Sequence, residues 1–151
     1  MKKSVSLKLI VFSFLLVSAS ITYSATPTIG AGTGADSTKA GIDNEASKEK
    51  SSAFGYKNIA DGEESSAFGF GNKASGKKSS AFGHSNKVSG ERSSAFGYNN
   101  EATNLESTVI GNNYKVTGSH SGAFGIGTYD GVNNKHLLIN GGGNSYMIGN
   151  G

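Results

Sequence analysis

The chain has 151 residues, of which 35% are apolar, 23 are Gly, one is Pro and none is Cys or Trp. Lys2, Lys3 and Lys8 carry the whole formal excess of +3, and residues 26–151 hold 11 basic and 11 acidic side chains, a net charge of zero. This balance excludes a basic nucleic-acid-binding surface, the missing cysteines exclude disulfides, and the low apolar content undersupplies a conventional globular core.

Residues 1–25 read as an export signal. Met1-Lys2-Lys3 and Lys8 precede the apolar run LIVFSFLLV at 9–17, with small residues at Ser18, Ala19, Ser20, Ser24 and Ala25. The run is shorter than the roughly 20 residues that span a bilayer, so cleavage between Ser20 and Ala25 and export are expected. Residues 26–36 form a Gly-rich lead-in. Its cluster Gly30-Ala31-Gly32-Thr33-Gly34 lacks the Lys-Ser/Thr pair of a phosphate loop.

From residue 37 the chain repeats every 14 residues. Residues 51–64 read SSAFGYKNIADGEE, 65–78 SSAFGFGNKASGKK, 79–92 SSAFGHSNKVSGER and 93–106 SSAFGYNNEATNLE, with looser copies at 37–50, 107–120 and 121–134. Ser opens all seven copies. Gly stands fifth in all of them, at Gly41, Gly55, Gly69, Gly83, Gly97, Gly111 and Gly125. The fourth place is apolar: Ala40, then Phe54, Phe68, Phe82, Phe96, Ile110 and Phe124. The tenth holds Ala or Val in six copies, and the twelfth holds Gly62, Gly76, Gly90 and Gly118.

A 14-residue unit is too short for a helical hairpin but fits two short strands and two turns. Stacked in parallel about 4.8 Å apart, such coils form a narrow β-solenoid in which like residues make ladders. The Phe column is expected to be the core ladder. The fifth-place glycines are expected to serve turns, and the twelfth place to hold the left-handed turn residue. Charges at the thirteenth and fourteenth places (Glu63-Glu64, Lys77-Lys78, Glu91-Arg92) alternate in sign and should pair between coils. In the last part, residues 135–151, the period slips: Ser145 starts 24 residues after Ser121. The intervening stretch, with a strand-like KHLLI at 135–139, reads as an inserted loop or a capping segment.

The motif Ser-Ser-Ala-Phe-Gly, followed by Asn, Ala and Gly at fixed offsets, resembles the YadA-like head repeat of trimeric autotransporter adhesins, close to S-V-A-I-G-x-x-A-x-A-x-G-x-x. The resemblance covers residues 37–134, about two-thirds of the chain, and residues 107–120 come nearest to it. It implies a left-handed parallel β-roll, a side-by-side homotrimer and display on the outer membrane of a Gram-negative bacterium. It further implies binding to a host-cell receptor, such as an immunoglobulin-type adhesion receptor, or to a matrix protein such as collagen or fibronectin. The third-place alanines Ala53, Ala67, Ala81 and Ala95 would let neighbouring rolls approach. The family's second-place Val is Ser here in four coils and its Ile is Phe. The coiled-coil stalk and barrel anchor of that family are not expected within these residues.

The sixth place carries Tyr56, Phe70, His84 and Tyr98. If outward-pointing, they make an aromatic strip suited to receptor binding; the alternatives are packing beside the Phe ladder or at a trimer seam. No enzyme activity, cofactor or metal is expected: His84, His120 and His136 fall at different places, and no serine has a base at a constant offset. The leading expectation is thus an adhesin head. The second is a structural spacer that self-associates in autoaggregation or biofilm without a specific receptor.

Overall fold

The computed structural model describes residues 28–126, 129–130, 135–136 and 138–150; the expected export signal lies outside the described residues. All its regular structure is β: a nine-stranded sheet, a seven-stranded sheet and one two-stranded hairpin. The solenoid expected from the 14-residue period is present.

Each coil contributes a long strand from places 2–6, as in Ser52–Tyr56, and a short one from places 9–10, as in Ile59–Ala60. Long strands pair in parallel with a shift of one repeat, so that Ala53 faces Ala67, Phe54 faces Phe68 and Gly55 faces Gly69. The short strands stack likewise into the second sheet. At the N-terminal end Thr28–Ala31 runs antiparallel to Thr38–Ile42 and covers the sheet edge, which blunts an otherwise open template for pairing. At the other end the ten-residue slip is an insertion. Tyr129–Asp130 and Lys135–His136 form a hairpin. Beyond it both sheets resume, with Leu138–Asn140 on Tyr114–Val116 and Tyr146–Asn150 on Gly122–Ile126.

The interior is lined by methyl groups. Alternation along the long strand turns the third place inward, and Ala53, Ala67, Ala81, Ala95 and Val109 are fully buried against Ala60, Ala74, Val88, Ala102 and Val116 of the short strands. This corrects two expectations. Phe54, Phe68, Phe82, Phe96, Ile110 and Phe124 are not the core ladder of the roll: they stand on its outer surface, the last three exposed by 39, 40 and 57%. The third-place alanines are inside, so they cannot mediate contact between rolls. The physical reason is width. Two sheets joined along one edge by a turn of only two residues lie too close for phenyl rings, and only methyl-sized groups fill the gap at native packing density.

The turns also differ from the expectation. Left-handed backbone occurs at the seventh and fourteenth places, with φ of 54° at Lys57, 56° at Glu64, 57° at Lys78 and 53° at Arg92. The twelfth-place glycines have ordinary φ and are needed for space instead, since a Cβ on Gly62 would sit 2.1 Å from the Gly76 carbonyl oxygen. The left-handed non-glycine residues cost about 1–2 kcal/mol each. They are held because their N–H groups bond the preceding coil: Glu64 N–H donates to Glu49 O at 2.8 Å and Lys57 N–H to Ile42 O at 3.0 Å. The fifth-place glycines lie within the strand, just before the first turn. Gly69 has φ 118°, and a Cβ there would meet Gly83 O at 2.1 Å. Ser at the first place is buried in all seven coils and closes the second turn. Ser51 Oγ, for example, donates to Lys48 O at 2.7 Å.

A column of asparagines at the eighth place runs through the roll: Asn44, Asn58, Asn72, Asn86 and Asn100, the last four almost completely buried. Asn72 Nδ2 donates to Phe68 O at 2.9 Å in its own coil and to Gly83 O at 2.6 Å in the next. Its Oδ1 accepts from Asn86 N–H at 3.0 Å. Tyr114 takes the eighth place in the following coil, fully buried, and its hydroxyl donates to Gly149 O.

Replacing Asn72 by Ala removes its bonds to Phe68 O and Gly83 O and leaves the buried Asn86 N–H without its acceptor, an unsatisfied group that alone costs about 1–3 kcal/mol. We expect Asn72→Ala to lower stability by about 3 kcal/mol or more, read as a fall in the thermal midpoint by circular dichroism. Gly69→Ala combines strain at positive φ with a clash against Gly83 O, and by the usual costs of strain and overpacking should lose at least about 3 kcal/mol. A melting curve unchanged from the parent would contradict either assignment.

Candidate functional site

The outer face of the nine-stranded sheet is built by places 2, 4 and 6. Eight parallel long strands with three such places each give 24 residues, and none is Asp, Glu, Lys or Arg. With strands about 4.8 Å apart and 3.3 Å per residue, the face is roughly 35 Å tall and 16 Å wide.

Its middle column is the Phe ladder. Phe54 and Phe68 stack with ring centroids 4.8 Å apart and planes 4° from parallel, Phe68 and Phe82 at 5.0 Å, and Phe82 and Phe96 at 5.2 Å. The sixth-place column runs beside it: Tyr56 stacks on Phe70 at 5.2 Å, Phe70 meets His84 edge-on at 4.7 Å, and His84 tilts against Tyr98 at 5.0 Å. The column points outward and at the same time lies beside the Phe ladder, which is itself on the outer face. Phe70 and Tyr98 are exposed and Tyr56 and His84 half-buried. Lys57 Nζ lies 5.0 Å from the Tyr56 ring centroid at the rim of the face, a cation–π contact. Aromatic enrichment with depletion of charge is the composition of an interface core.

The charges sit on the other surfaces. At the second turn Lys77 pairs with Glu63 at 2.7 Å, Lys78 with Glu64 at 3.6 Å and Arg92 with Glu106 at 2.8 Å, each one coil apart, as the alternating signs suggested. His120 Nε2 continues this line to Glu106 at 3.3 Å. On the outer side of the short strands Lys115 pairs with Glu101 at 2.6 Å and Lys73 with Asp61 at 3.1 Å. The Lys77 ammonium is held above its ordinary value, first by its hydrogen bond to Glu63 and then by that carboxylate's charge. Its positive charge is therefore present at neutral pH and is lost as pH rises through the lysine range. Among the described residues no group of three or more His, Asp or Glu could hold a metal ion.

The repeat geometry and the comparison with known families agree. The family model for the YadA head domain repeat (2 copies) matches at residues 46–72, 74–100 and 89–113. Residues 46–113 are YadA head domain repeats. They form an adhesin-type head module that takes up a little under half of the chain. No curated protein matches the chain.

Sequence reasoning missed three features around these repeats. The asparagine column recurs at a fixed offset, but a polar residue in a turn-rich repeat reads as solvent-facing. Tyr114 replaces Asn in that column, a break visible in the repeat alignment. Gly122 replaces Ser or Thr in the second-place column and opens a notch in the outer face.

The exposed ion pairs are weak by nature, each screened by water and salt. We expect Lys77→Ala to shift the thermal midpoint far less than Asn72→Ala, with the small difference disappearing in high salt. A loss as large as that of Asn72→Ala would show that the charge column, not the buried amides, holds the coils.

Proposed function

We propose that the chain works as a cell-surface adhesin head in which copies associate side by side, as a homotrimer, through the uncharged aromatic face. The observation that carries this reading is that face itself: 24 outward places without a charge, on a chain that has 11 acidic and 11 basic residues beyond residue 25. A single coil buries only about two small side chains, which contribute about 2 kcal/mol at the usual value per buried methyl-sized group. Covering the Phe ladder with another copy supplies much larger burial, since an aromatic ring carries 150–250 Å² of surface by typical values. The projected face, on the order of 600 Å², approaches the roughly 800 Å² per partner of a standard stable interface.

In this arrangement the second and fourth places form the seam. The sixth-place strip of Tyr56, Phe70, His84 and Tyr98, next to the first turn, lies at its rim. That strip, repeated on each copy, binds the host partner: a cell-surface receptor, including the immunoglobulin type, or a matrix protein such as collagen or fibronectin. Three copies multiply a weak contact by avidity. The second reading, a spacer that self-associates in autoaggregation, is favoured by the near-identity of the coils, which present the same surface at every level.

Phe68→Asp places a charge in the seam, and we expect it to convert the assembly to a monomer in size-exclusion light scattering while the β spectrum remains. Tyr98→Ala should leave the mass unchanged and lower saturable, competable binding to host cells several-fold. An assembled chain without saturable binding would favour the spacer, and a wild-type monomer would overturn the shared-face reading.

A further inference from the structure

The aromatic face has a problem of register that its own end resolves. Between Ser51 and Glu106 the outward residues repeat almost without change: Ser52, Ser66, Ser80 and Ser94 in one column, Phe54, Phe68, Phe82 and Phe96 in the next. A second copy displaced by one coil, about 4.8 Å, meets the same residues at all but one of these rungs. Uniform faces specify register weakly.

The degeneracy ends at the last three long strands, beginning with Thr108 and Ile110 in place of Ser and Phe. Gly122 stands where the other coils carry Ser or Thr, and the missing side chain opens an apolar notch of about 220 Å³. It is walled by Thr108, Ile110, Phe124, Tyr146 and Ile148. Three of these walls stand out from the roll more than any rung before them: Phe124 is 57% exposed, Tyr146 81% and Ile148 82%. An apolar cavity of about 150 Å³ is known to take a benzene ring, so this notch has room for a phenyl group. Gly122 has ordinary φ, and a Cβ there would lie 3.1 Å from the Tyr146 ring. The glycine is therefore explained by space at the surface and not by backbone strain.

We infer that the Gly122 notch is the register key of the homo-oligomer, receiving the Phe124 ring of a neighbouring copy at the same height. The inference rests on the shared-face reading above and adds to it the level at which copies meet. The occupant is a second copy because the notch is continuous with the Phe ladder and has the same uncharged apolar lining. Only in-register copies bring the projecting ring of one to the notch of the next. A one-coil slip keeps most of the Phe contacts but sets Ile110 or Ile148 of the neighbour, not a phenyl ring, at the notch.

Two single-cysteine chains, Ser66→Cys and Ser80→Cys, one coil apart on the second-place column, read the register in a protein that has no cysteine of its own. The full-length chain is exported with its own leader, purified after export and oxidised. The expected result is disulfide links between like chains only, S66C with S66C and S80C with S80C, in a mixture of the two. Adding Gly122→Ser fills the notch. It should introduce S66C–S80C links and weaken self-association at least tenfold, with the β spectrum kept. Should Gly122→Ser not fold, Tyr146→Ser, which removes one wall of the notch, should give the same loss of register. Mixed links as frequent as like links with Gly122 in place, no links in an assembled sample, or notch variants that keep both affinity and like-only links would each overturn the register key. A wild-type monomer by light scattering would remove the shared-face reading itself, and the mass therefore tells the two failures apart.

Discussion

Coil-to-coil hydrogen bonding through the buried asparagine column is the constraint from which the rest of the roll follows. One Asn side chain joins its own long strand, the long strand of the next coil and the main chain of the next Asn, as Asn72 does with Phe68, Gly83 and Asn86. These bonds are made in an interior without competing water, where each is stronger and each loss more costly. They hold every coil in the same backbone conformation at the same level. Given that, the fifth place must be Gly, because the carbonyl of the next coil lies where a Cβ would go. Lys57, Glu64 and Arg92 can also adopt left-handed turns because the preceding coil accepts their N–H groups.

The same constraint makes the roll thin. Sheets held so closely admit Ala and Val between them and nothing larger along most of the stack, with Tyr114 as the exception where the Asn column ends. Hydrophobic burial inside a single chain is correspondingly small, and the larger apolar groups are displaced to the outer face. The molecule therefore has two unlike sides. One is a flat aromatic wall without charge, and the other carries ion pairs on the short strands and the second turns. The first has the composition of a protein contact and the second that of a surface kept in water.

Much of this was legible in the residues. The period of 14, the two strands per coil, the parallel ladders, the insertion before Ser145 and the pairing of Glu63 with Lys77 all follow from spacing. The inside and outside of the long strand did not. Alternation separates Phe54 from Ala53 but does not say which is buried, and ring size argues for Phe in any core of ordinary thickness. The turn position was misplaced for a related reason. Glycine at the twelfth place looks like a left-handed residue, whereas its role is clearance, and the charged fourteenth-place residues owe their conformation to bonds from another coil. The inward bonds of Asn58 and Asn72 were not legible because their partners lie 11 and 14 residues away, beyond any local pattern.

Every coil from Ser51 to Arg92 offers the next one an identical lower and upper edge, and this bears on how such a chain changes in length. A tandem duplication of the 42 nucleotides that encode one coil (three for each of 14 residues) inserts a unit whose amides, glycines and serines all find partners already in place. The rod lengthens by one strand spacing and nothing else need adapt. The same event after Tyr114 is treated differently. The Tyr114 hydroxyl reaches the Gly149 carbonyl, 35 positions further along the chain, and an extra coil between them would pull that bond apart. Growth by repeat slippage is thus open in the body of the rod and closed at its C-terminal end.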